Sequence, residues 1–278
     1  MTQSNGSSSN GSARPLAVVT GASSGIGYEL AKLFAQHGYD VVAAAEPVAH
    51  AGVTLDAAAA DIRAAGADVT AVPVDLATAE GVEQLARRVA SLGRPVDALA
   101  LNAGVGLGGP FVEQPVEGIL NLVNLNVRSV VHLARLLLPA MVARKQGKVL
   151  VTSSIAALMP GPFEAVYGAS KAFELSWAQA VRNELKDSGV TVTALQPGPT
   201  DTEFFHRAGM DDTKVGADKK DDPAEVARQG FEAMLKGDDH VVAGSLKNTL
   251  QAAATTVLPN PALAQMHRGM SEPGTASK

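Results

Sequence analysis

The chain has 278 residues, a net charge of −5 at pH 7 and no cysteine. The absence of cysteine excludes disulfides, thiolate metal sites and cysteine nucleophiles. Apolar residues make up 46% of the chain and charged residues 18%, which is typical of a globular protein and excludes disorder throughout. The slight acidity provides no basic surface for nucleic acid, so we expect no nucleic-acid partner.

The two ends of the chain differ in composition from the part between them. Residues 1–14 are rich in Ser, Asn and Gly and predict a flexible tail, because they lack the apolar core of a signal peptide. Residues 15–258 are expected to form one domain, and the Pro, Gly and Ser of 259–278 predict a loose C-terminal segment. No run of about 18 consecutive apolar residues occurs, so we expect no membrane span and a cytoplasmic protein.

Between the ends, short apolar runs alternate with longer runs of helical periodicity. Strands are predicted at 16–20, 40–45, 69–74, 98–101, 148–152, 191–196 and 240–243. Helices are predicted at 25–37, 55–65, 79–91, 119–144 (with a break or kink at Pro139), 165–188 and 223–236. This alternation predicts an α/β fold, a three-layer, doubly wound parallel sheet of about seven strands with helices on both faces, known as the Rossmann fold. The charged stretch 199–222 is predicted to form a lid or substrate loop.

A glycine-rich turn follows the first predicted strand. Residues 20–27 read Thr-Gly-Ala-Ser-Ser-Gly-Ile-Gly, and the next helix begins within them. Glycines let the backbone turn tightly and approach a pyrophosphate, which the helix N-terminus favours through its free N–H groups and dipole. The position between strand and helix therefore favours a dinucleotide site over the alternative, a glycine turn that binds nothing.

Three polar residues near the fifth predicted strand suggest proton-transfer chemistry. Tyr167 and Lys171 are four residues apart and share one face of a predicted helix, and Ser154 ends the strand before it. A nearby ammonium favours phenolate, so the spacing predicts that Lys171 lowers the pKa of the Tyr167 phenol. Ser154 could then hydrogen-bond the oxygen that exchanges a proton with Tyr167. The alternative is an amphipathic helix whose lysine extends along its surface.

Several motifs in this order resemble the short-chain dehydrogenase/reductase family, from residue 15 to about residue 242. They are the glycine turn, Asp75, Asn102-Ala103-Gly104, Asn126, Ser154, Tyr167-Gly-Ala-Ser-Lys171, and Pro197-Gly198 followed by Thr202. Ser154 precedes Tyr167 by 13 residues, which is the usual interval of the family. The chain departs from the family at Leu101, where many members have an additional Asn.

The resemblance implies a role for each of these residues. Tyr167 would be the general acid/base, Ser154 would polarise the substrate carbonyl, and Lys171 would assist Tyr167 and bind the nicotinamide ribose. Asn126 would hold a water that supplies protons. The dinucleotide would be held by Gly21, Ser23, Ser24, Gly25, Ile26, Gly27, Glu46, Asp75, Leu76, Asn102, Ala103, Gly104, Tyr167, Lys171, Pro197, Gly198, Thr200 and Thr202. Family members also form homodimers or homotetramers.

The choice of dinucleotide depends on the end of the second strand, where the family reads the adenosine ribose. Ala45 and Glu46 stand there, and no Arg or Lys lies between Lys32 and Arg63. A carboxylate accepts a hydrogen bond from a 2′-hydroxyl and repels a 2′-phosphate, so the charge favours NAD. NADP stays open if Glu46 points to solvent.

The leading hypothesis is an NAD(P)-dependent oxidoreductase that interconverts a secondary alcohol and a ketone or aldehyde. Two alternatives are a dinucleotide-binding sensor or scaffold without turnover, and a lyase or epimerase on the same fold.

The six histidines have no metal-ligand spacing, so no metal site is predicted. Phe111, Met159 and Phe163 are expected to line an apolar substrate pocket.

Overall fold

The computed structural model describes residues 14–48 and 53–276, so most of the predicted N-terminal tail lies outside the described residues. The strands are β1 Leu16–Thr20, β2 Asp40–Ala45, β3 Val69–Pro73, β4 Ala98–Leu101, β5 Gly147–Thr152, β6 Val190–Pro197 and β7 His240–Ala243. They form one sheet in the order β3-β2-β1-β4-β5-β6-β7. Every neighbouring pair is parallel. The strand order reverses between β1 and β4, and this reversal opens a crevice at the carboxyl ends of the strands.

Helices cover both faces of the sheet. They are α1 Gly25–Gln36, α2 Leu55–Ala64, α3 Ala79–Ser91, α4 Val116–Val123, α5 Ser129–Arg144, α6 Ala165–Glu184, α7 Phe204–Arg207, α8 Lys214–Ala217, α9 Pro223–Lys236, α10 Leu246–Ala254 and α11 Asn260–Ser271. One apolar core lies between the sheet and α3, α5 and α6. A second core lies between the sheet and α1, α2 and α9. The predicted doubly wound, three-layer fold is therefore confirmed.

The longest helical run differs from its prediction. It begins at Val116, passes through a π-helical turn at Asn124–Arg128, and continues through Pro139 without a break. Pro139 lies on the exposed face, so the hydrogen bond that it removes is on the solvent side. Met141, fully buried two residues later, keeps the helix packed on the core.

The run Val116–Arg144 is also long and apolar enough, by length and composition, to cross a membrane. This is weak support for a membrane span, because a core helix passes the same test. Leu122, Val130 and Leu133 bury its inner face, and the last two join the core beside α3. The run therefore belongs to the helical layer of the fold.

The C-terminal part contains more regular structure than the sequence predicts. Residues 199–222 include the short helices α7 and α8. Beyond β7, α10 and α11 were not predicted, and α11 lies in the segment that was expected to be loose. Only Leu263, His267 and Ser271, each four residues from the next, are buried on the inner face of α11. A pattern of three positions is too short to be recognised as helical among Pro, Gly and Ser.

Candidate active site

The glycine turn lies at the carboxyl end of β1 and leads directly into α1. Gly21 and Gly25 have φ angles of +68° and +55°, a left-handed conformation that favours glycine. A Cβ on Gly27 would overlap the carbonyl oxygen of Gly21 and the side-chain amide of Asn102. The first turn of α1 carries no acidic residue. This turn can therefore approach an anionic ligand with free backbone N–H groups and the positive end of the helix dipole.

Asn102 fixes the geometry of three strand ends. Its side-chain amide donates to the Thr20 carbonyl at 3.1 Å, and its amide oxygen accepts from the Thr152 hydroxyl at 3.1 Å. The Thr20 hydroxyl accepts in turn from the backbone N–H groups of Asn102 and Ala103. The carboxyl ends of β1, β4 and β5 are thus held together where the crevice opens.

A cavity of about 340 Å³ extends from the glycine turn to the C-terminal helices. Nearly all predicted site residues line it. The predicted residues in its wall are Gly21, Ser23, Ser24, Gly25, Ile26, Glu46, Asp75, Leu76, Asn102, Ala103, Gly104, Ser154, Tyr167, Lys171, Pro197, Gly198, Thr200 and Thr202. Gly27 and Asn126 are the two predicted residues that are not in the wall, because Gly27 packs behind the turn and Asn126 is fully buried.

Asn126 lies in the π-helical turn between α4 and α5. Its side-chain nitrogen donates to the Val105 carbonyl and to the Ser170 hydroxyl, both at 3.0 Å. Its side-chain oxygen accepts from the Val105 N–H at 3.0 Å. The side chain therefore positions the loop after β4 against α6, and the role in proton supply stays a prediction.

Tyr167 and Ser154 meet beside the cavity. The Ser154 hydroxyl accepts from the Ala156 N–H at 3.1 Å, which orients it at the end of β5. Burial raises the pKa of the Tyr167 phenol, and the Glu164 carboxylate raises it further. A hydrogen bond with Ser154 lowers this pKa, and Glu174 raises it. The net direction is upward, opposite to the shift predicted from Lys171.

Lys171 has a buried acidic partner that the sequence did not suggest. Its ammonium lies 2.9 Å from Oε2 of Glu174 and donates to the Thr152 carbonyl at 2.9 Å. The side chains of Lys171 and Glu174 are 5% and 2% exposed. Burial raises the pKa of Glu174 to about 7, against the lowering effect of Lys171. The ammonium next to Tyr167 is therefore compensated by a carboxyl group on the same helix.

A second buried carboxyl group closes the other end of the cavity. Glu164 directly precedes α6 and accepts from the Ser271 hydroxyl at 2.8 Å, while His267 Nε2 lies 3.4 Å from its Oε2. His267 Nδ1 lies 3.2 Å from the Pro162 carbonyl oxygen. Burial raises the pKa of Glu164 to about 7 and lowers that of His267. These three side chains line the cavity, and none was predicted.

The predicted lid, residues 199–222, lines part of the cavity and makes an aromatic contact there. The ring of Phe204 lies 5.0 Å from that of Tyr167, centroid to centroid. On its other side the lid packs on the loop after β4, where a Cβ on Gly106 would overlap Phe204 and one on Gly108 would overlap Met210. Behind the lid, Asn248 of α10 donates to the Ala243 carbonyl and to Asp221.

The predicted ribose-reading residue meets the lid at the far end of the cavity. Oε1 of Glu46 lies 2.7 Å from the guanidinium of Arg207, and both side chains are about one-third exposed. Asp75, also in the wall, accepts from the Ala77 N–H at 2.9 Å and so stabilises its own turn. The sequence around Glu46 does not predict this cation, because Arg207 lies 161 residues away along the chain.

Two of the three residues expected to line an apolar pocket do not. Met159 is in the wall of the cavity, but Phe111 is 56% exposed outside it. The ring of Phe163 instead packs beneath the Arg268 guanidinium on α11. Among the described residues, no group of three His, Cys, Asp or Glu side chains is arranged to hold a metal ion.

Comparisons with known proteins agree with this geometry. A profile of the short chain dehydrogenase family matches residues 15–213. The ketoacyl reductase HetN of Nostoc sp. is 32% identical over 203 residues, which are 73% of this chain and 68% of that protein.

Solved structures extend the likeness to nearly the whole domain. The short-chain dehydrogenase from Sphingobium yanoikuyae in complex with NADPH has a TM-score of 0.74 and 31% identity, over 87% of this chain and 94% of its own. The L-sorbose reductase from Gluconobacter frateurii, complexed with NADPH and L-sorbose, has a TM-score of 0.71 and 28% identity, over 84% of this chain and 97% of its own. The chain therefore belongs to the short-chain dehydrogenase/reductase family of oxidoreductases.

Proposed function

We propose that the protein is an NAD(P)-dependent oxidoreductase that interconverts an alcohol and the corresponding ketone or aldehyde. The observation that supports this most strongly is that Ser154, Tyr167 and Lys171 line the same cavity as the glycine turn. A scaffold that only binds dinucleotide has no need of these three side chains beside the ligand.

The glycine turn fits a dinucleotide, because the overlap at Gly27 leaves no room for a side chain where the backbone must come close. Residues of the turn would hold the pyrophosphate, and those after β4 and β6 would hold the nicotinamide half. A bound nicotinamide supplies or accepts the hydride. Ser154 orients the reacting oxygen by a hydrogen bond, and Tyr167 exchanges a proton with it.

The state of Tyr167 favours one direction of this reaction. Burial and two carboxyl groups keep its pKa above the ordinary value, so the phenol is protonated at neutral pH. A protonated phenol is the acid that carbonyl reduction requires, whereas alcohol oxidation requires a base. We therefore infer that reduction is the faster direction at neutral pH.

We propose that NAD(H) is the preferred dinucleotide, as the carboxylate of Glu46 suggests. A ribose 2′-hydroxyl can donate to Glu46 while Arg207 keeps its contact with the same carboxylate. A 2′-phosphate would have to separate this pair. The relatives complexed with NADPH are the reason to test the preference directly.

We also propose that the protein is a homodimer or homotetramer. The outer faces of α4, α5 and α6 leave large apolar side chains exposed, namely Val116, Leu120, Val123, Val131, Leu136 and Phe173. Several exposed apolar side chains on neighbouring helices are typical of an interface between copies. Light scattering should show a multiple of 28.4 kDa for the wild type. Leu136→Glu should lower this mass, while Leu246→Glu on α10 serves as control; a wild-type monomer would contradict the proposal.

The function is tested by oxidation of NADH and of NADPH with a panel of ketones and aldehydes, and by the reverse reaction with the matching alcohols. We expect turnover of at least one carbonyl compound, faster in reduction than in oxidation at pH 7. Tight dinucleotide binding without turnover of any compound would instead support the sensor hypothesis.

A further inference from the structure

The buried carboxyl group of Glu174 raises the pKa of Tyr167 from a distance, and it also contacts another residue of the proposed mechanism, Lys171, directly. Both of its oxygens accept from the Lys171 ammonium, at 3.2 and 2.9 Å. We propose that Glu174 is a positioning residue that acts through Lys171: it fixes the ammonium and offsets its charge, so that Tyr167 remains the proton donor for carbonyl reduction. This inference rests on the proposed function.

The geometry limits what Lys171 can do. An ammonium has three N–H donors. The Glu174 carboxyl group and the Thr152 carbonyl take at least two of them, so at most one is left for a ribose hydroxyl or a water. Because both partners are buried, the ammonium is held near one position, 5.9 Å from the centre of the Tyr167 ring. Glu174 thus sets the place from which the Lys171 charge acts.

The charges around the Lys171–Glu174 pair also support a role for Glu174 in keeping Tyr167 protonated. A lone ammonium beside a phenol stabilises the phenolate, and in a buried site this effect is strong. Glu174 opposes it, since its carboxylate raises the pKa of Tyr167. Glu164 acts on Tyr167 in the same direction from the start of α6.

Other charged groups on the elements packed against α6 do not replace Lys171 as the partner of Glu174. Lys148 on β5 donates to the Leu235 carbonyl. Glu117 on α4 and Arg128 in the π-helical turn are exposed. Lys171 is the charged group that lowers the pKa of Glu174. A change at Glu174 should therefore reach Tyr167 in two ways, through the freed Lys171 ammonium and through loss of the carboxylate's own charge.

A purely structural ion pair would make a different prediction. Loss of such a pair lowers stability and turnover at every pH, but it leaves the ionisation of Tyr167 where it was. A positioning role shifts that ionisation. The two roles are thus separated by a titration of the phenol, which needs no turnover.

The chain is suited to this titration because it has three tyrosines. In a Tyr28→Phe/Tyr39→Phe background, phenolate absorbance reports Tyr167 alone. We expect Glu174→Gln to lower the pH of half-ionisation by about one unit or more, since it removes the charge and keeps the shape. Glu174→Leu carries the same expectation should the Gln variant not fold, and Glu184→Gln, exposed at the end of α6, is the control.

Kinetics give the second readout. In Glu174→Gln, the high-pH limb of carbonyl reduction should move to lower pH by the same amount as the phenol titration. Coincident titrations of wild type and Glu174→Gln would overturn the inference, whatever happens to kcat. A shifted titration in a protein that reduces no carbonyl compound would uphold the link between Glu174 and Tyr167 and overturn only the proposed function.

Discussion

The two ends of the cavity are built in different ways. At the proposed dinucleotide end, the glycine turn, Glu46 and Asn102 each directly follow a strand in the first half of the chain. At the proposed substrate end, Glu164, Phe204 and His267 come from three elements that are far apart in the sequence. A site built from strand ends can be read as local motifs, whereas a site built by packing of distant helices cannot.

Tyr167 lies where the two ends meet, and its replacement should have the largest effect. Tyr167→Phe removes the proton donor while the ring stays in place. We expect kcat to fall about 10²- to 10⁴-fold, the usual contribution of general acid–base catalysis, with dinucleotide affinity nearly unchanged. Steady-state kinetics and dinucleotide titration check both parts.

The matched control for this change is Tyr28→Phe on α1. The Tyr28 hydroxyl bonds Asp61 on the outside of the fold, 3.1 Å away, so its loss should leave turnover intact. A Tyr167→Phe enzyme with nearly normal kcat would rule out the proposed acid.

Addition of a single methyl group to the glycine turn should weaken dinucleotide binding. Gly27→Ala places a Cβ against Gly21 and Asn102, and the turn must then open. We expect dinucleotide affinity to fall about tenfold or more, because overpacking costs about 1–3 kcal/mol and the opened turn must close again on the ligand. Gly269→Ala on α11 is the control, because its Cβ would meet no neighbour. Equal affinities in the two variants, measured by calorimetry, would refute the role of the turn.

The substrate end should respond to pH. The pKa of Glu164 is about 7 in the folded protein and near 4.5 when unfolded, so the folded state binds the proton more tightly. The stabilisation is complete below pH 4.5 and is lost as pH rises to about 7. Relative to wild type, Glu164→Gln should therefore gain up to a few kcal/mol of unfolding free energy between pH 5 and pH 8.

Urea denaturation at a series of pH values measures this difference. The partly exposed Glu225→Gln is the control, because Arg228 lowers the pKa of Glu225 whereas burial raises that of Glu164. If the unfolding free energies of the two variants change with pH in parallel, Glu164 does not carry a raised pKa.

The smallest effect is expected at Glu46 and Arg207, because a partly exposed ion pair contributes little to stability. The ratio of kcat/KM for NADH to that for NADPH should exceed one in wild type. It should fall about tenfold in Glu46→Gln, since one charge-assisted hydrogen bond to the ribose is lost. A wild-type preference for NADPH that disappears in Arg207→Ala would show instead that Arg207 binds the 2′-phosphate.

The sequence was sufficient to predict the sheet and many of the residues that line the cavity. Buried parallel strands are continuous apolar runs, and the turn after β1 carries its glycines in a fixed order. Glu174 is different, because its position on α6 resembles that of any polar residue on an amphipathic helix. Its burial depends on the other elements that pack against α6, and the periodicity of α6 alone does not describe them.

The C-terminal part was predicted least well for a related reason. The short helix α11 has one buried side chain per turn, at Leu263, His267 and Ser271, and two of these are polar. Polar residues are expected outside, and here they are inside because each finds a partner near Glu164. Hydrophobic patterning cannot detect a helix that is held by hydrogen bonds.

The lid rests on two glycines of the opposite wall, Gly106 and Gly108, where Phe204 and Met210 fill the space of absent side chains. The surface that contacts the lid thus depends on the absence of side chains at these two positions, and the sequence of the lid itself does not reveal it. A relative with the same lid sequence but alanine at either position would have to hold this segment farther from the loop after β4. The fit of the lid can therefore be changed without a substitution in the lid itself.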